Sequence, residues 1–330
     1  MAAIALRSPQ YKTALADTGT PLSAKITISI DGTIEYTLVK LTSLNQNMLW
    51  EIAELCRDFI NITFNGTYTA ETLAIISTLT SHASTDGTGT ALTTDTFTDV
   101  GYDGYGTFME GDNPEIPFSN RPRWLLSTNP ETLNKYYIYV PNNTAGTIPW
   151  MNVNADLFYY TYTANQTQFI GGGYGQYDVD IIRVDCTKYG YGHKITFVNK
   201  YGALQDLWFF LKSVNTTNKK QEQFQRNIIT STGSYNVNTH TKQDYNTVAN
   251  TSISLSSGYY PEWANQWFEQ LLLSEQVWLT RTDPFDSSAD EVVPVNVKKS
   301  SMIKKTSLNE RLIDYTFEFD MSFDYINNIR

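Results

Sequence analysis

Hydrophobic and polar positions alternate with a period of two along much of this chain. The first legible unit is a hairpin. Ala24, Ile26, Ile28 and Ile30 alternate with Lys25, Thr27 and Ser29, and after Asp31-Gly32 the alternation resumes through Ile34, Tyr36 and Leu38. Successive side chains of a strand point to opposite faces, and Asp-Gly suits the positive φ of a type I′ turn, so the pattern predicts two paired strands. The end of the chain shows the same period at greater length. Ile313, Tyr315, Phe317, Phe319, Met321 and Phe323 share one face, while Asp314, Thr316, Glu318, Asp320, Ser322 and Asp324 share the other. Alternation of this length predicts one half-buried antiparallel strand over 313–323, its acidic face turned to solvent.

Two stretches change to a helical period. Asn47 offers a cap, and Leu49, Ile52, Ala53, Cys56, Phe59 and Ile60 make one apolar stripe, which predicts a helix over 48–60. A second helix is expected from Pro261, a residue tolerated in a first turn, with Trp263, Trp267 and Leu271 as its stripe and Phe268 and Leu272 widening it. Shorter strands are expected at 62–68, 72–80, 135–140, 157–163, 167–170, 179–185, 194–199, 204–212, 277–279 and 292–298. Polar strands at 222–231 and 248–255 read as a long hairpin with 234–244 at its tip. The stretch 77–98, rich in Ser, Thr, Gly and Asp, reads as extended hairpins or an insertion, and 99–122 reads as an irregular loop.

The fold class expected from these patterns is mainly β: antiparallel β-sandwich or barrel-like domains with two short helices packed on the sheets. The composition shift KYGYGHK at 188–194 places a boundary between a domain at 1–187 and a second at 188–330. The first would carry a Ser/Thr/Gly/Tyr-rich insertion at about 77–125.

Composition agrees with a β class. Aromatic residues make up 14% of the 330 positions, 22 of them Tyr, and only 18% are charged. A formal net charge of −10 opposes binding to a phosphate backbone, so nucleic acid is not an expected partner. No apolar run approaches the length of a membrane span. The opening MAAIALRSPQYK lacks the basic and apolar regions of a secretory signal, so synthesis in a cytoplasm is expected.

Candidate chemistry is sparse. Cys56 and Cys186 are far apart and match no metal or redox spacing, so both read as small buried hydrophobes. His82, His193 and His240 fall in expected loops or a hairpin tip, and no G-x-S-x-G elbow occurs. The GGGYG run at 171–175 is followed by no Lys-Ser/Thr pair and reads as a turn rather than a phosphate loop. Asp95, Asp99, Asp103, Glu110 and Asp112 supply carboxylates to one region, and Asp99, Asp103 and Asp112 are the candidate Ca²⁺ ligands. A second acidic stretch lies at 283–291. Tyr102, Tyr105 and Tyr174 are the candidates for stacking on sugar rings, against the alternative that tyrosines pack loops onto a sheet. Sequons at Asn61, Asn65, Asn142, Asn165, Asn215 and Asn250 are what an Asn- and Thr-rich chain produces by chance. No catalytic residue, metal or cofactor is assigned, and the expectation is a protein that is not an enzyme.

Three stretches together resemble tail-associated structural proteins of tailed bacteriophages. They are SPQYKTAL…AKITISIDGTIEYTLVK…IAELCRDFI at the start, KITFVNKYGALQDLWFFLKS in the centre, and PEWANQWFEQLLLSEQVWL…VPVNVKKSSMIKKTSLNERLIDYTFEFDMSFDYINNIR at the end. They cover about the first sixty residues and most of the last 140, in matching order, while roughly 70–180 matches nothing. The resemblance implies a virion protein in a ring, tail-end, baseplate or fibre-attachment position, assembling with copies of itself and with other tail proteins. Since that group has no catalytic motif, no site residue carries over. Two alternatives stand beside it. A receptor- or glycan-binding tail protein would use the Tyr- and Gly-rich middle, and a polysaccharide-degrading tail enzyme would use paired carboxylates.

Overall fold

The structure, a computed structural model, describes residues 2–14, 22–42, 48–116, 135–151, 156–170, 178–185, 192–281, 291–298, 301–304, 306 and 312–324. The fold is mainly β, with 54% of the described residues in strands and 8% helical.

The N-terminal part opens with β1 (Ala2–Ala5) and β2 (Tyr11–Ala14). The expected hairpin follows as β3 (Ser23–Ile30) and β4 (Thr33–Leu41). Asp31 and Gly32 sit at φ 49° and 85°, the two successive positive values a type I′ turn requires. Ala24, Ile26, Ile28 and Ile30 are buried, so the alternation read from the sequence is the alternation of burial in β3.

The expected helix over 48–60 is divided. Its first turn is instead β5 (Met48–Glu51), which pairs antiparallel with β2 and so satisfies its backbone in a ladder. The helix α1 is only Ala53–Arg57. Glu51 caps it, its Oε1 accepting from the Ala53 N–H at 2.7 Å and from the Gln10 N–H at 3.2 Å. Ala53 and Cys56 still face inward, against Ile26, Ile28 and Trp50. Asn47, the expected cap, lies outside the described residues.

Residues 62–68 form no strand. Ile62 and Phe64 are buried all the same, against Val198, Leu204 and Trp278, so hydrophobicity there reflects packing of an irregular segment. Next come β6 (Leu73–His82) and the twelve-residue β7 (Ala91–Tyr102). These five strands make a sheet in the order β1-β7-β6-β3-β4, with β1 parallel to β7 and the other pairs antiparallel. The Ser- and Thr-rich stretch is thus an extended hairpin at the centre of the sheet, and Asp99 to Tyr102 belong to a strand rather than to the expected loop.

The middle contributes β8 (Lys135–Pro141), β9 (Gly146–Met151), β10 (Leu157–Tyr162), β11 (Gln168–Ile170) and β12 (Asp178–Val184). β9 and β10 form a hairpin, while β12 pairs parallel with β8 and antiparallel with β11. β1–β7 and β8–β12 are parallel pairs; the other strand pairs are antiparallel, as the expected class has them.

The last third contains β13 (His193–Val198), β14 (Leu204–Phe209), β15 (Ser213–Gln225), β16 (Lys242–Ser256), β17 (Tyr260–Pro261), α2 (Asn265–Leu273), β18 (Val277–Arg281), β19 (Glu291–Val297), β20 (Leu312–Ile313) and β21 (Thr316–Met321). Seven of these strands make one sheet in the order β14-β13-β18-β19-β21-β16-β15. A 3₁₀ turn at Glu262–Ala264 precedes α2, whose Trp267, Phe268 and Leu271 pack on that sheet.

The final alternation is real but interrupted. Between β20 and β21 the Ser257 N–H donates to the Tyr315 carbonyl at 2.8 Å, and the Tyr315 N–H donates to the Ser257 Oγ at 2.9 Å. A side-chain oxygen thereby replaces one rung of the ladder without changing which face is inward. Ile313, Tyr315, Phe317, Phe319 and Met321 are all buried, whereas Phe323 lies beyond the strand and is 49% exposed.

The largest core gathers Phe209, Phe268, Phe317 and Phe319 with residues from the middle, among them Tyr136, Ile138, Ile148 and Ile181. Phe209 meets Phe268, Phe317 and Phe319 edge-on at centroid separations of 6.3, 6.1 and 5.9 Å. Hydrophobic packing therefore runs continuously across residue 188. The five-stranded sheet has its own core around Ile26, Ile28, Trp50 and Ile75. The two regions meet where the turn at 199–203 touches 102–105. A Cβ at Gly104 would lie 2.6 Å from the Lys200 carbonyl oxygen, and the Tyr105 N–H donates to that oxygen at 2.8 Å. A Cβ at Gly202, whose φ is 83°, would lie 2.9 Å from the Asp103 backbone nitrogen.

Phe319→Ala should cost about 3–5 kcal/mol by opening a cavity among these rings. Asp320→Ser, one position along on the solvated face, should change stability by no more than about 0.5 kcal/mol. Denaturant unfolding of the two variants measures both.

Candidate functional site

The carboxylates proposed for Ca²⁺ do not converge. Asp99 and Asp103 are each 4% exposed, and each faces its own cation. Lys12 Nζ stands 2.5 Å from Asp99 Oδ2, with the Phe97 ring also 5.0 Å from it. Arg57 Nε donates to Asp103 Oδ1 at 3.1 Å. Arg57 also pairs with Glu275, which Arg7 reaches at 3.1 Å. Burial pushes the Asp103 carboxyl above its ordinary range, and the nearby guanidiniums of Arg57 and Arg7 oppose that shift. The network ties α1 and β7 to the turn between α2 and β18, a structural role. Asp112 is exposed and apart from both. Among the described residues no group of three His, Cys, Asp or Glu side chains is placed to hold a metal ion.

The aromatic candidates are similarly committed. Tyr102 is fully buried with Ala3, Ala5, Ile116 and Met151, so it offers no face to a sugar. Tyr105 lies under the Arg7 guanidinium at 5.2 Å, and burial pushes its phenol up to about 12. Tyr174, the GGGYG run at 171–175 and Cys186 lie outside the described residues, as does the acidic stretch at 283–290. Cys56 is fully buried, and burial raises its thiol to about 12, with Glu51 and Asp99 adding to the shift. Such a thiol is not a nucleophile.

Of the three histidines, only His240 is at a hairpin tip. His82 is buried at the end of β6, where its Nε2 lies 2.8 Å from Thr80 Oγ1, and His193 begins β13. A cleft of about 440 Å³ opens beside β1, β2 and β7, lined by Lys12, Phe97, Asn113 and Glu115. The cationic group there is already paired with Asp99.

The structure instead exposes backbone and ribbon. Among the described residues β15 pairs only with β16, and all thirteen of its residues are exposed. β16 in turn meets β21 only over Ser252 to Ser256, opposite 213–216 of β15. Beyond that point β15 and β16 continue as a two-stranded arm about 30 Å long; Ala249 is still buried and Val248, Asn250 and Thr251 half-buried at its base, while 217–225 and 242–246 are exposed. A register shift between Lys220 and Glu222 marks a bulge within it. Phe224 and Tyr245 pack edge-on at 5.7 Å, and Lys219 lies 3.4 Å from Asp244. The tip is built from polar turns: the Asn227 and Asn236 side chains accept from the Ile229 and Asn238 N–H groups, each at 2.9 Å. Ile229, Tyr235 and Val237 are exposed there.

A second open edge belongs to the five-stranded sheet. Among the described residues β4 pairs only with β3, and eight of its nine residues are exposed. Ile34 and Leu41 are 65% and 67% exposed. The opposite edges are covered. At β1 the Ile116 N–H donates to the Ala3 carbonyl at 2.7 Å, and β14 is largely buried. Comparison with family models, curated proteins and solved structures finds no match for the chain.

His193, at the start of β13, gives the seven-stranded sheet a pH signature. Burial, then the charge of Arg281, lowers its pKa below the ordinary 6.5. The folded state therefore holds neutral His193, and its contribution to stability is present above pH 6.5 and lost as pH falls through the depressed value. The urea midpoint should drop between pH 7 and pH 5, and less steeply in His193→Gln; parallel slopes in the two proteins would contradict the assignment.

Proposed function

We propose that the chain is a structural subunit of a bacteriophage tail, located in the virion, working through protein–protein assembly rather than catalysis. One observation carries the proposal. Among the described residues β15 has an unpaired edge over thirteen exposed residues, on a ribbon that continues past the last β16–β21 pair. Long open edges invite pairing with another chain, and monomeric proteins usually cover or shorten them. A strand added there would gain main-chain hydrogen bonds along the whole contact. The resemblance of the first sixty residues, the 194–213 stretch and the C-terminal segment to tail-associated proteins supports the same reading. The partners would be copies of this chain and other tail proteins. No helix among the described residues is long and apolar enough to cross a membrane, which says nothing of a β-barrel.

Amine cross-linking of intact particles, read by mass spectrometry, tests the proposal. Lys219, Lys220 and Lys242 of the arm should link to neighbouring tail chains. Purified particles that lack the protein, or in which it links to no tail component, would refute it.

A further inference from the structure

The arm and the β4 edge differ in charge as well as in position. The arm with its base, 212–245, carries five of the chain's 24 basic residues (Lys212, Lys219, Lys220, Arg226, Lys242) and only two of its 34 acidic ones, Glu222 and Asp244. It is a basic projection on a chain of net charge −10. Lys219 is partly neutralised by Asp244, whereas Lys220, Arg226 and Lys242 have no ion-pair partner among the described residues.

The β4 edge is bordered by acid. Asp31 and Glu35 are exposed in the turn and in the strand. Asp58 follows α1, whose neighbour Phe59 meets Tyr36 of β4 edge-on at 6.1 Å. Asp86 precedes Gly87, which lies against Val39 of β4. Two cations, Lys25 and Lys40, are also close. Lys40 is folded back, its Nζ donating to the Leu49 carbonyl at 2.7 Å above the Trp50 ring. The edge itself presents Ile34, Leu38 and Leu41 as exposed apolar side chains.

We infer that the occupant of the β4 edge is the arm of a second copy of this chain, β15 adding to β4 as a sixth strand of its sheet. The inference rests on the assembly reading and names one of its partners. Both halves of the match are present on one chain: a basic ribbon with a free edge, and a free edge bordered by acid. Charge complementarity of this kind steers encounter and fixes register. The thirteen residues of β15 exceed the nine of β4, and the eight residues before the Lys220/Glu222 bulge could pair with most of β4's free backbone groups. Arm and edge are different surfaces, so the contact is heterologous. Repeated from copy to copy it closes into a ring or runs on as a filament.

Light scattering of the full-length chain over a concentration series tests this with two exposed-residue variants. Lys220→Glu/Arg226→Glu reverses the arm, and Glu35→Lys/Asp58→Lys reverses the edge. Wild type should self-associate, and each variant should need about tenfold more protein to do so, with circular dichroism unchanged. Mixing the two variants in equal amounts should restore association, because each then offers the other a matched contact. A wild-type chain that stays monomeric overturns the copy-to-copy contact, as does association that ignores both reversals or a mixture that stays dissociated. None of these results touches the cross-linking of particles, by which the assembly reading stands or falls separately.

Discussion

A β-strand is complete only when its backbone donors and acceptors are paired on both sides, and this constraint organises the whole molecule. Interior strands meet it within the sheets. Two of the outer strands meet it by being covered: β1 receives the 115–116 segment, and β14 is buried against neighbouring layers. β4 and β15 do neither. These two edges have no strand partner among the described residues, and the proposed function rests on that observation.

What holds the edges in place is conventional packing. The Phe209, Phe268, Phe317 and Phe319 cluster locks α2 to the seven-stranded sheet, and Tyr260 donates its hydroxyl to the Trp208 carbonyl at 2.7 Å beside it. The contact of 102–105 with the 199–203 turn admits no side chain at Gly104, and the Arg57, Asp103 and Glu275 network braces the same junction. Asp103 is the buried member of this network, with Arg57 and Glu275 partly exposed, so removing Arg57 would leave a buried carboxylate without its nearest cation. The arm continues past the point where β16 loses β21, and among the described residues the strand pairing of its outer part is that of β15 with β16.

Sequence pattern revealed those parts of the fold in which one face is buried. The β3–β4 hairpin was legible because Asp31-Gly32 specifies its turn, and 313–321 because burial tracks alternation even across the break at Tyr315. The 48–60 helix was misjudged because Leu49, Ile52, Ala53 and Cys56 satisfy a helical stripe equally well when a strand, a corner and one helical turn follow each other. Burial of Ile62 and Phe64 in irregular chain likewise mimicked a strand. The arm was located but placed too far along, since β15 begins at Ser213 and not near Glu222. A strand polar on both faces has no periodicity to mark its start; that very lack was the available signal of a solvated ribbon. Candidate ligands failed for a related reason. Asp99, Asp103 and Tyr102 are close in sequence, but a strand and its ending turn direct them to separate buried partners.

The central claim is that β4 and β15 are interfaces awaiting a strand. Amide hydrogen exchange, followed residue by residue in dilute protein and in its assembled form, addresses it most directly. The account predicts fast exchange along the outer edges of β4 and β15 in the dilute chain and marked protection of both on assembly. Exchange at these two strands that is the same in both states, with new protection confined elsewhere, would contradict it.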